Sequence, residues 1–264
     1  MNERKLLLIT FLFTLLIGGG VAVYQSRMPH PHVPDIPLLK SHNPKTTALI
    51  EIRKNFYKRK NKDVEIQLAW RPLSQISPHL IDAVLSAEDD GFFMHDGVEW
   101  KDIRKAALYD LKRGRRARGG STITQQLAKN LYLSPSKNPL RKLRELILAY
   151  RLEKHLTKKR ILEIYLNVVE WGPGIFGAEA AARFYYDKPA GLLSIDESVA
   201  LAASLPNPFK YGPQSASVWT QKRREWVLRR MIESERLSVP GPDVDELDIS
   251  EPIPPAEAEE PSND

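Results

Sequence analysis

Gly119-Gly120-Ser121-Thr122-Ile123-Thr124-Gln125-Gln126, running straight into Leu127-Ala-Lys-Asn-Leu-Tyr-Leu133, is the stretch whose reading decides the fold. Paired glycines let a backbone take positive φ or approach a ligand closely. Ser or Thr at such a junction caps the helix that follows. The apolar-periodic run then predicts a helix over Ile123–Leu133. One hydroxyl is enough for a cap, yet this junction carries several, with two adjacent amides whose donors and acceptors suit a polyhydroxylated partner. The surplus points to binding as well as folding.

Working outward, the rest of the chain is also mostly helical in pattern. Ser77-Pro78 opens a helix with Leu80, Ile81, Val84 and Leu85 as its inner stripe. Pro139 begins another that reaches about His155, with Leu140, Leu143, Ile147 and Leu148 expected on one face. Thr157 caps a short helix through Tyr165, and Ser194-x-x-Glu197 forms a capping box ahead of Val199–Leu205. An amphipathic helix over Trp219–Ile232 closes the series. Strand-like alternation is limited to Val64–Ala69. Gly172-Pro-Gly174-Ile-Phe-Gly177 matches the dinucleotide fingerprint in letters, but follows a helix-like segment without βαβ alternation, so it reads as a tight loop before an Ala178–Tyr186 helix.

The 264 residues divide unequally. Leu6–Tyr24 is an uncharged run of 19 residues preceded by Arg4 and Lys5. As a helix it spans roughly 28 Å, close to the thickness of a hydrocarbon core. No small-x-small cleavage site follows it, so 1–24 is expected to be a cytoplasmic stub and membrane anchor. Residues 25–45, rich in proline and histidine, read as an extended stalk, and 46–236 as the globular domain. Residues 237–264 read as a disordered tail: Ser238–Asp264 holds nine acids, six prolines and no Lys or Arg. The remainder therefore sets all 39 basic side chains against 24 acids, a balance of +15 that suits anionic partners. The absence of cysteine leaves the redox compartment open.

Two carboxylate segments could do chemistry. Glu88 follows the apolar Ala83–Ala87 and heads Glu88-Asp89-Asp90 at a helix end. A carboxyl against an apolar wall is harder to ionise, which suits a general base near neutrality. Glu145 lies one turn after Arg141. Cations crowd the same region: Lys129, Lys137, Arg141, Lys142 and Lys158 together suit a diphosphate. The basic run Lys112–Arg118 has no interleaved aromatics, which argues against nucleic acid and for an anionic lipid surface.

These residues together resemble the lysozyme-like peptidoglycan glycosyltransferase family, in its monofunctional, membrane-anchored form. Five ordered segments carry the resemblance over about residues 65–232. E-D-x-x-F-x-x-H-x-G is Glu88, Asp89, Phe92, His95 and Gly97; G-G-S-T-I-x-Q-Q is Gly119 to Gln126, with Lys129 and Asn130 following. R-K-x-x-E is Arg141, Lys142 and Glu145, and K-x-x-I-L-x-x-Y-L-N is Lys158, Ile161, Leu162, Tyr165, Leu166 and Asn167. R-x-x-x-V-L-x-x-M is Arg223, Val227, Leu228 and Met231. Lys137 stands just before the third segment, where relatives often carry Arg.

The resemblance implies a mainly α, two-lobed, lysozyme-like domain behind an N-terminal transmembrane helix, in the inner membrane with its catalytic domain on the periplasmic side. It implies polymerisation of lipid II into β-1,4-linked glycan with inversion, release of undecaprenyl diphosphate, and no transpeptidase activity. Glu88 and Glu145 are then the catalytic candidates. The substrate-binding candidates are Asp89, Phe92, His95, Ser121, Thr122, Gln125, Gln126, Lys129, Asn130, Lys137, Arg141, Lys142, Lys158, Tyr165 and Asn167. A divalent cation, Mg or Mn, is the one cofactor expected, with no organic cofactor. Expected partners are lipid II, lipid-linked glycan, the membrane and other cell wall synthesis proteins, with no nucleic acid. A glycan-cleaving enzyme on the same fold and a non-enzymatic anionic-polymer adaptor are the competing readings. The cation-rich third and fourth segments weigh against cleavage, which has no diphosphate to neutralise.

Overall fold

A computed structural model describes residues 33–99, 120–134 and 139–236. The expected membrane segment, the acidic tail, the basic run Lys112–Arg118 and Lys137 lie outside the described residues. Among the described residues no helix is long and apolar enough to cross a membrane.

The described chain is mostly helical. Helix α1 spans Ala48–Arg59, α2 Pro78–Glu88, α3 Ile123–Tyr132, α4 Pro139–His155 and α5 Lys158–Val168; α6 is Ala178–Tyr186, α7 Ile195–Ser204 and α8 Val218–Glu233. Three very short strands, β1 (Gln67–Leu68), β2 (Glu170–Gly172) and β3 (Ile175–Phe176), form one sheet in the order β1-β3-β2. β1 runs parallel to β3, and β2 antiparallel to it.

The helix starts follow from side-chain chemistry. Thr122 and Gln125 form a reciprocal capping box at α3, and Ser194 and Glu197 do the same at α7. Such caps are each worth about 1 kcal/mol. Thr157 caps α5, which runs to Val168, one turn past the expected end at Tyr165. Ser77 does occupy the cap position of α2, but its hydroxyl donates to Leu193 O (2.9 Å) and so ties the helix start to the segment before α7.

Two helix groups share a single core. α2, α7 and α8 pack on one another; α3 packs on α4, α5 and α1. Helix α3 is the innermost: of its ten residues only Gln126 and Lys129 keep appreciable accessible surface. These two lie three positions apart and therefore on one face. A helix buried elsewhere on its circumference is a rigid mount for whatever that face carries.

Three expectations change. Residues 33–45 do not behave as an extended stalk: Ile36–Lys40 is a 3-10 helix that packs on α4, with Val33, Ile36 and Leu39 buried. Arg160 clamps it by donating to Leu39 O, His42 O and Asn43 Oδ1, and Tyr132 Oη donates to Pro34 O. The apolar stripe expected on α4 is misplaced, since Leu140 and Leu143 are more than half exposed. The buried stripe is Glu145, Leu148, Ala149 and Leu152, so it begins with a carboxylate. Finally, Gly172–Gly177 is preceded by a strand rather than a helix, because it forms the β2–β3 hairpin. Gly174 and Gly177 take φ of +78° and +85° there, and a Cβ on Gly177 would lie 2.6 Å from Asn167 O. The hairpin and its antiparallel pairing still exclude a dinucleotide loop.

Candidate active site

Glu88 is the last residue of α2, and Asp89 the first outside it. The three consecutive acids diverge. Asp90 turns to Arg230 and Arg236 of the C-terminal segment. Asp89 accepts from the Ile123 backbone N–H (2.9 Å) at the start of α3, where a carboxylate meets the positive end of the helix dipole. Its other oxygen lies 2.9 Å from His95 Nε2. Since His95 Nδ1 accepts from the Gly97 N–H, the proton of the neutral ring resides on Nε2 and points at Asp89.

Glu88 points the other way, towards the accessible face of α3. Gln126 Nε2 donates to Glu88 Oε2 at 2.7 Å, and the Tyr165 hydroxyl donates to Gln126 Oε1 at 3.1 Å. That second bond fixes which end of the amide faces the acid. Glu88 Oε1 is sealed from solvent and has no hydrogen-bond partner. Burial raises the Glu88 pKa, opposed chiefly by the Arg223 guanidinium and by the Gln126 hydrogen bond. The Tyr165 phenol is pushed well up by burial and by the charges of Glu88 and Asp89.

Glu145 has the opposite surroundings. Lys142 Nζ lies 2.5 Å from its Oε1, and Arg141 Nη1 lies 3.2 Å from its Oε2, so both oxygens face cations. Lys142 also donates to Ser121 Oγ at 2.9 Å, joining α4 to the glycine-rich turn that precedes α3. Gly120 in that turn has φ +114°, a conformation that favours glycine.

Lys129 lies in the field of both acids. Crowding by protein lowers its pKa; Glu145 and then Glu88 pull it back up, while Arg141 and Lys142 push it down. Its side chain nonetheless keeps solvent-accessible surface. An ammonium that protein walls hold near two carboxylates and two other cations can take up an anionic ligand without losing much hydration.

The candidate set therefore divides. Glu88 is joined to Gln126, and Glu145 to Arg141, Lys142 and through Lys142 to Ser121, while Lys129 feels both acids. Phe92 is buried in the core, with Lys158 Nζ 4.5 Å from its ring centroid. Lys158 pairs with Glu153 at 2.7 Å, and Thr124 donates to the same Glu153 oxygen at 2.5 Å. Asn167 is spent on scaffold, accepting from Arg71 N and donating to Arg71 O and Glu163 O. Thr122 donates to Gly97 O, and Gln125 is fully buried in the capping box. Asn130 is buried on α3. Thr122 and Asp89 tie the loop after α2 to the start of α3, and the others serve the buried scaffold.

Two contributors escape the sequence reading. Arg223 of α8 brings a guanidinium to 3.9 Å from Glu88 Oε1; it heads the fifth segment but carries no chemistry in isolation. Glu153 gathers Thr124 and Lys158 and lies where a Cβ on Gly97 would strike it at 2.7 Å. Its one signal is its place two turns after Glu145 on the buried stripe of α4.

For a divalent cation the donor set is a poor fit. Among the described residues no three His, Asp or Glu side chains cluster, and the oxygens of Glu145 and Asp89 are already engaged. Lysine and arginine supply the positive charge at this place.

Comparison with known proteins gives the family. The family profile described as Transglycosylase matches residues 55–232. A biosynthetic peptidoglycan transglycosylase of Azoarcus sp. (strain BH72) is 49% identical over 182 residues, covering 67% of this chain and 79% of that protein. One of Nitrosospira multiformis is 46% identical over 189 residues, covering 72% and 82%, and one of Janthinobacterium sp. (strain Marseille) is 44% identical over 191 residues, covering 72% and 83%. The chain belongs to the transglycosylase family. Within that family it is an enzyme of peptidoglycan synthesis, a glycosyltransferase.

Proposed function

We propose that the chain polymerises lipid II into β-1,4-linked glycan, with a lipid-linked glycan as donor and lipid II as acceptor. In this reading Glu88 takes the proton from the acceptor sugar's 4-hydroxyl as that oxygen attacks the donor's anomeric carbon. The bond from that carbon to the diphosphate breaks, and its electron pair leaves on the diphosphate oxygen as undecaprenyl diphosphate. A single displacement inverts the α-linked carbon to β.

The observation that carries this reading is two acids set beside cations and polar groups: Gln126, on the accessible face of α3 with Lys129, donates to Glu88 at 2.7 Å, and Lys142 and Arg141 lie 2.5 Å and 3.2 Å from Glu145. Charge grows on the departing diphosphate in the transition state, and cations fixed beforehand stabilise it there more than in the ground state. Lys129 and Arg141 supply that charge, with Lys137. Glu145 holds Arg141 and Lys142 in place, and Ser121 and Gln126 present hydrogen-bonding groups to sugar or phosphate. No step is assigned to a metal ion.

The same reading makes Leu6–Tyr24 a single-pass anchor in the inner membrane, with the two-lobed, lysozyme-like domain on the periplasmic side. Both substrates are confined to a bilayer, so an anchor replaces a three-dimensional search with a two-dimensional one. Residues 33–45 pack on the domain, which would hold it close to the membrane surface. The chain would build glycan without cross-linking it. The test is polymerisation of purified lipid II by the full chain in detergent. Polymer made by wild type and lost in Glu88→Gln supports the reading; polymer at the normal rate from Glu88→Gln refutes it. Muropeptides released from insoluble wall would instead favour cleavage.

A further inference from the structure

Glu88 Oε1 poses a problem that the proposed mechanism leaves open. A carboxylate oxygen sealed from water without a hydrogen bond is costly to keep charged, because hydration is lost and nothing replaces it. A base that is protonated at rest does no work. The groups facing Glu88 are Gln126 and Lys129 from α3, Tyr165 from α5, Asp89 beside it in sequence, and Arg223 from α8. Gln126 serves Oε2. Arg223 approaches Oε1, its Nη2 at 3.9 Å.

Arg223 is itself held in place. One Nη2 contact goes to the Ala87 carbonyl at 3.2 Å, at the end of α2. The guanidinium carbon lies 4.0 Å from the centroid of Trp226, one turn further along α8, and Arg230 approaches the same ring at 5.0 Å. Arg223 is only 15% exposed, so its charge is weakly screened. At 3.9 Å it attracts Oε1 without forming the close pair that would hold the acid permanently as a salt bridge.

Resting on the proposed role of Glu88 as base, we propose that Arg223 is a positioning residue for it. The guanidinium is shelved on Trp226 and tied to the Ala87 carbonyl. It neutralises the sealed oxygen and keeps the carboxylate ionised, leaving Oε2, on the Gln126 side, as the proton acceptor. An oxygen that accepts one hydrogen bond from Gln126 retains a second lone pair for the incoming proton.

The experiment is the pH profile of kcat/KM for lipid II polymerisation by the full chain in detergent. It compares wild type with Arg223→Gln, Arg223→Met and Arg223→Lys, with folding checked by thermal unfolding. Gln retains a donor for Ala87 O and Met retains packing on Trp226, while both remove the charge, so either folded variant is enough. Loss of the charge moves the acid limb to higher pH. Activity at the acid end then falls about tenfold more than at the alkaline end, as expected for losing an opposite charge at this range. Arg223→Lys keeps the limb near its wild-type position. A uniform loss at every pH, or failure of both neutral variants to fold, would overturn the inference and assign Arg223 to the scaffold. Glu88→Gln, assayed in parallel, separates the two ideas. Full activity there sinks the base itself, whereas an inactive Glu88→Gln beside an unmoved Arg223→Gln profile sinks only the role of Arg223.

Discussion

Glu88 at the end of α2 and Glu145 near the start of α4 are both carboxylates largely withdrawn from water, yet the fold treats them oppositely. Glu88 meets apolar wall, one amide and a guanidinium at 3.9 Å, and its pKa rises. Glu145 meets an ammonium at 2.5 Å and a guanidinium at 3.2 Å. The first is under-neutralised and can gain a proton; the second is saturated and organises cations. Under the proposed function, two identical functional groups take two roles through their surroundings.

The largest expected effect separates these roles. Glu88→Gln should lower turnover by about 10²–10⁴-fold, the usual worth of a general base. Its midpoint of thermal unfolding should stay level or rise, because a poorly compensated buried charge has been removed. Glu145→Gln should cost less in rate, about 10–100-fold, as displaced cations stabilise the leaving group less well. It should also lower stability by about 1–2 kcal/mol, a figure reduced because both cationic partners are partly exposed. Rate assays and unfolding curves on the two variants check the contrast. A large loss of stability in Glu88→Gln with none in Glu145→Gln would reverse it.

A pH titration sharpens the comparison. If Glu88 is the base it must be ionised, so activity should fall as pH drops through its pKa, which burial raises. Stability should run the other way. The folded state binds this proton more tightly than the unfolded chain, so the contribution of Glu88 to stability falls as pH rises from the unfolded to the folded pKa. Glu88→Gln should abolish that slope, while Glu145→Gln leaves the acid limb of activity in place; unfolding curves and rates across pH 4–8 read both.

The smallest expected effect falls on the link between the two regions. Ser121→Ala removes one acceptor from Lys142 and should cost about 0.5–1.5 kcal/mol with a change of only a few-fold in rate. A collapse of activity in that variant would make the contact of Ser121 with sugar or phosphate, rather than its tethering of the turn, the larger of its two parts.

Much of this arrangement was legible in the chain. Hydroxyl–acid and hydroxyl–amide capping pairs act over three residues, so Thr122, Thr157 and Ser194 mark their helices before any folding is considered. Where a stripe of leucines was followed without knowledge of its partner, the reading failed: Leu140 and Leu143 are exposed because α4 turns the face bearing Glu145 and Leu148 towards α3. Asp89 and Asn167 stand in the motifs beside the candidate residues, but their hydrogen bonds to Ile123 and Arg71 close across 34 and 96 positions.

By itself, the amino-acid sequence determined the helical class, most helix starts, the two acids and the cationic character of the site, because these rest on local spacing and on residue chemistry. Only the tertiary structure decided which acid is left hungry for a proton and which is saturated. It also packed residues 33–45 onto the domain, and brought Arg223 back across 135 positions to Glu88. A charge's energy depends on what replaces its lost water, and that is settled by neighbours the chain supplies from far away.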